Sequence, residues 1–130
     1  MPALSSFLRK ALLADAAISG AACLAMIAGA DLTHGLLGLP SGFVFWAGVA
    51  LIPFIVTLGM VVRAGAAPVG LIVTLIVLNF AWVAASLWVA FGPVFAPTLI
   101  GKVFIVAQAA MVALFADLQI IGLRRTNAMA

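Results

Sequence analysis

Few side chains in this chain can do chemistry, and their spacing limits what that chemistry can be. Its acidic residues are Asp15, Asp31 and Asp117, with no glutamate. Asp15 follows Arg9 by six positions and Asp117 precedes Arg124 by seven, both within long apolar runs. On helices rising about 1.5 Å per residue, each carboxyl falls roughly 10 Å inside a layer of arginines. Two carboxylates at one depth can bind a cation or share a proton. The same spacing allows a structural alternative, in which Asp117 shares a helix face with Arg124 and Lys10 snorkels beside Asp15.

The amides are the next candidates. Asn79 sits near the middle of one apolar run, and Gln108 falls within about one helical turn of that depth on the next. A hydrogen bond between them would fix the register of two helices and is worth on the order of 1 kcal/mol. Asp15, Asp117, Asn79 and Gln108 therefore form the candidate intramembrane polar site. Asn79, Trp82 and Ser86 follow one another at helical spacing and make a stripe that either lines a cavity or packs. Trp88 suits an aromatic belt, and Lys102 suits a side chain reaching to the interface.

Other chemistry is not encoded. His34 is the lone histidine and Cys23 the lone cysteine, so an intrachain disulfide, a thiolate cluster and a bis-histidine haem are all excluded. Cys23 lies in an apolar segment and reads as a small buried hydrophobe. No H-E-x-x-H, C-x-x-C, G-x-S-x-G or P-loop pattern occurs. No catalytic, cofactor-binding or metal-ligating residues are expected, and the chain is not expected to be an enzyme.

The elements that must carry these residues follow from composition. Of 130 residues, 68% are hydrophobic and 7% charged, with mean hydropathy +1.41. A soluble domain carries roughly a quarter charged residues. A bilayer core of about 30 Å takes about 20 apolar residues per helix. The sequence thus predicts a single transmembrane domain over residues 1–130, an all-α, up-and-down antiparallel bundle of four transmembrane helices near 8–29, 41–62, 68–90 and 99–123. Ser5 or Ser6 and Ser41 are placed to cap helices. Residues 31–40 hold Leu32, Leu36, Leu37 and Leu39, too apolar for a free loop and too few for a span, and read as an interfacial connector. The basic start and Ala28-Gly29-Ala30 resemble a secretory signal, but the apolar run exceeds the usual 7–15 residues, so a retained helix is expected.

Pro53 falls inside the second span, where a kink is expected because proline removes a backbone donor. The connector 63–67 is tight enough to fold spans two and three into an antiparallel hairpin. Arg124 and Arg125 stop the fourth span, leaving 126–130 frayed. Ala17, Ala21, Ala25 and Gly29 recur at steps of four, as do Ala109, Ala113 and Asp117, and such stripes predict helix contacts within the bundle or with a partner.

With four spans, Arg9, Lys10, Arg63, Arg124 and Arg125 lie at one face and only Lys102 at the other. The positive-inside rule then puts both termini in the cytoplasm, with Asp31 and His34 outside, and the composition fits a bacterial inner membrane. Because the basic residues sit at helix ends, the +3 formal charge reports membrane topology and not nucleic-acid binding. The expected partners are the lipid bilayer and other membrane helices or a second copy. Two functions fit: a non-catalytic subunit or accessory protein that packs against other membrane helices, or a small oligomeric channel or carrier built on Asp15, Asp117 and Asn79.

Overall fold

The computed structural model describes residues 3–93 and 95–129, and the side chains of 32–34 and 126–129 lie outside that description. The expected outward placement of His34 falls among them. Five helices follow in order: α1 (Ser6–Ala28), α2 (Ala30–Leu37), α3 (Ser41–Ala64), α4 (Val69–Phe91) and α5 (Leu99–Met129). All but α2 are long and apolar enough to cross a membrane, and the chain is a small α-helical membrane protein.

Local chemistry explains most helix ends. The Ser5 hydroxyl accepts the Leu8 N–H at 3.1 Å and caps α1. Gly65, left-handed at φ 73°, closes α3 and donates its N–H to the Val61 carbonyl. Ser41 is the first residue of α3 and not its cap, which is Pro40. Two segments differ from the sequence reading. The connector at 31–40 contains the helix α2, held by a distant residue: the Thr98 N–H donates to the Leu37 carbonyl at 3.0 Å and its hydroxyl to that of Leu36 at 2.7 Å. The fourth long helix does not stop at Arg124 but continues to Met129. Arginine is a good helix former, so the pair marks the edge of the apolar stretch and not the end of the helix.

α1 packs against α3 and α5, and α4 packs against α5. The α3–α4 hairpin meets through side chains at one end of the bundle, where Leu58, Val61 and Val62 cluster with Ile72, Leu75 and Ile76 around Leu8 and Leu12. A second cluster at the other end joins Ala30, Leu39, Val44, Ala90 and Ile105. Two glycines permit close approaches of α1 to its neighbours. A Cβ on Gly122 of α5 would lie 2.8 Å from both Cα and Cβ of Leu8, and one on Gly48 of α3 would lie 2.9 Å from Cβ of Met26. At the second contact the Cys23 thiol donates to the Gly48 carbonyl, Sγ to O 3.2 Å, so Cys23 is the buried residue its setting implies.

Backbone ties bring one end of the bundle together. The Leu4 N–H donates to the Gly65 carbonyl at 2.9 Å, and the Ser5 hydroxyl to that of Gly122 at 3.3 Å. The start of α1, the α3–α4 turn and the C-terminal part of α5 thus share an end, which carries Arg9, Lys10, Arg63, Arg124 and Arg125. Pro53 lies within the unbroken α3 on its exposed side, so it does not line the interior. Ala17, Ala21 and Ala25 are exposed as well. Their stripe is turned away from the core face of α1, because it starts two positions, about 200° round the helix, after the buried Asp15.

Candidate functional site

On α1 the buried face runs through Leu8, Leu12, Asp15 and Cys23, which spaces Asp15 onto the core side of the helix. Ile72, Leu75, Ile76, Asn79 and Ser86 form the corresponding face of α4. On α5 the positions are Ile105, Ala109, Ala116 and Gln119. Three helices therefore each present one polar side chain to a common interior point: Asp15, Asn79 and Gln119.

The geometry there is closed. Gln119 donates from Nε2 to Oδ2 of Asp15 at 2.7 Å, and Asn79 donates from Nδ2 to the same oxygen at 3.0 Å. Asn79 Nδ2 also donates to Oε1 of Gln119 at 2.9 Å. The other carboxyl oxygen, Oδ1, accepts the Ser19 hydroxyl at 2.9 Å. Asp15 is 1% exposed, Asn79 4% and Gln119 0%, so water and lipid do not reach them. Every donor that meets Asp15 is uncharged. Three donors converge on the two carboxyl oxygens, which accept throughout, and each such bond is strengthened by the low surrounding dielectric.

A second polar layer lies about two turns away along the axis. Trp82 donates its indole N–H to Oε1 of Gln108 at 2.9 Å, and Gln108 Nε2 donates to the Ser86 hydroxyl at 2.8 Å and to the Ile105 carbonyl at 2.9 Å. The Ser86 hydroxyl donates in turn to the Trp82 carbonyl at 2.7 Å. Both layers are fully paired: among the described residues, no buried side-chain nitrogen or oxygen lacks a partner.

Of the four residues singled out from sequence, the structure brings two together, Asp15 and Asn79. Gln108 does not meet Asn79 but bonds the Trp82–Ser86 part of the same stripe, because the two helices are offset along the axis from the register assumed. Asp117 lies on the exposed side of α5, so the two carboxylates share a depth but not a site. The expected pairing of Asp15 with a cation is replaced by the two amides and a hydroxyl. Gln119 was not singled out from sequence, although it falls on the α5 face marked by Ile105, Ala109 and Ala116 at steps of three, four and seven. Lys102 is half-buried at the far end.

Among the described residues no three His, Cys, Asp or Glu side chains gather into a metal-binding group. Comparison with known proteins gives no match, whether to family models, to curated proteins or to solved structures.

Proposed function

We propose that this chain is a small non-catalytic membrane component that acts by packing against other membrane helices. The observation that carries the reading is the closed Asp15–Asn79–Gln119 network. Its side chains are buried and bonded to one another in joining α1, α4 and α5, and groups so engaged are not available to a solute. The outer surface is the remaining place where the molecule can meet something. It is rich in large apolar side chains, among them Leu13, Leu24, Trp46, Met60, Val103 and Leu114, as helices facing lipid or other helices require.

The channel or carrier reading needs Asp15, Asp117 and Asn79 around one path. The sealing of the first and last, and the outward position of Asp117, count against it. The five basic residues at one end support an orientation with both termini in the cytoplasm, and with it a bacterial inner-membrane location. Gentle extraction from the native membrane, followed by mass measurement of the intact species, tests the reading. A stable larger assembly is the expected result. A monomer with no companion would overturn it.

A further inference from the structure

Asp117 is a polar group that the bundle leaves without a partner among the described residues. It is exposed, and among the described residues no hydrogen bond or ion pair reaches it. Seven residues separate it from Arg124, which places it about 10 Å inside the basic end along α5. A carboxyl group at that depth is costly when it faces lipid. Unlike lysine, aspartate has no long stem with which to reach the interface. The side chain therefore needs a partner from outside the chain.

The chain carries a complementary group on the adjacent helix. Lys10 is likewise exposed and without a partner among the described residues. The Leu8–Gly122 contact sets the two helices level with each other. Counted from it, Lys10 is two residues inward and Asp117 five, a difference of about 4–5 Å in depth. The four-carbon stem of lysine covers that offset.

Between them runs a groove of about 250 Å³, lined by Phe7, Lys10, Ala11 and Ala14 of α1 and by Phe115 and Leu118 of α5. Lys10 forms its α1 side. Asp117 follows a further 100° round α5 from Leu118, beyond the opposite side. The positive and negative groups thus flank one apolar strip.

We propose that this α1–α5 face binds a second copy of the chain, related by a two-fold axis along the membrane normal. Such an axis keeps depths equal and brings the left flank of one copy onto the right flank of the other. Lys10 of each copy then meets Asp117 of its mate, twice in the dimer, which is the self-complementarity that a two-fold interface demands. Ala11 and Ala14 leave room for close approach across the groove. This inference rests on the reading that the chain works by helix association, and it names the partner.

Charge reversal tests it in the full chain, with oligomeric state read by single-molecule counting in native-lipid nanodiscs. Wild type is expected as a dimer, D117K and K10D each as monomers, and the K10D/D117K double variant as a dimer again. A second readout does not depend on charge reversal. In a Cys23→Ala background, Lys10→Cys and Asp117→Cys chains are mixed, and a bifunctional thiol reagent whose spacer covers the depth offset of about 4–5 Å should form a 10–117 crosslink between them. Dimers that survive both single reversals, or the absence of that crosslink in a dimeric sample, would overturn the interface. Wild type found bound to a different membrane protein and never to itself would overturn the second copy while leaving the proposed function intact. Wild type found alone as a monomer would end both.

Discussion

Replacing Asp15 with alanine removes the acceptor on which α1, α4 and α5 converge. Two interhelical bonds are lost, from Gln119 at 2.7 Å and from Asn79 at 3.0 Å, together with the bond from Ser19 inside α1. Interhelical hydrogen bonds in membrane proteins average about 0.6 kcal/mol and reach about 1.7, so two of them amount to roughly 1–3 kcal/mol. The Asn79–Gln119 bond survives and keeps both amides partly satisfied, which holds the loss within that range. Asp15→Asn should cost less than half as much. Its amide oxygen can face the two donors while its NH2 group faces Ser19, whose hydroxyl rotates to accept. Reversible unfolding in mixed detergent and SDS measures both variants. In a cycle with Gln119→Ala, the double variant should lose less than the sum of the singles by about 0.5 kcal/mol or more. Strict additivity, or an Asp15→Ala variant as stable as wild type, would refute the network as a stabilising unit.

Three further outcomes follow from the packing. Gly122→Ala places a methyl group 2.8 Å from Leu8 backbone and side-chain atoms and should destabilise by about 1–3 kcal/mol in the same assay. Gly59→Ala, where nothing lies within 4 Å, should stabilise by about 0.5–1 kcal/mol by lowering the entropy of the unfolded chain. Gln108→Leu strands the Trp82 indole N–H and should cost about 1–3 kcal/mol, with Trp82→Phe largely cancelling the further loss in the double variant. For orientation, cysteines at Ser6 and at Ala128 in a Cys23→Ala background should react with an impermeant thiol reagent from the same side of sealed vesicles, and one at Lys102 from the other.

Four spans are legible in the sequence because hydropathy is a local sum over about 20 residues, and no tertiary contact is needed to read it. α2 is not legible in that way. Eight residues are too few to be helical by themselves, and Thr98, the residue holding its last carbonyls, is 62 positions from Leu36. The interior position of Asp15 and Asn79 follows from steps of three and four along their helices. Gln119 obeys the same steps, but it lies close to Arg124 and Arg125 and so resembles an interfacial side chain. Asp117 was grouped with Ala109 and Ala113 by steps of four, and that spacing carries it 80° round the helix from Ala109 and out of the bundle. The Asn79–Gln108 pairing failed for a related reason. Sequence bounds the depth of a residue to about a turn, whereas a hydrogen bond requires the axial offset of two helices to a fraction of one.

The central claim is that the intramembrane polar groups hold helices together and do not carry solute. The most direct measurement is cation and proton flux into sealed liposomes containing the purified protein, with Asp15→Asn alongside. The account predicts flux no greater than in protein-free vesicles for both. Flux in wild type that Asp15→Asn abolishes, while the variant remains folded, would contradict it.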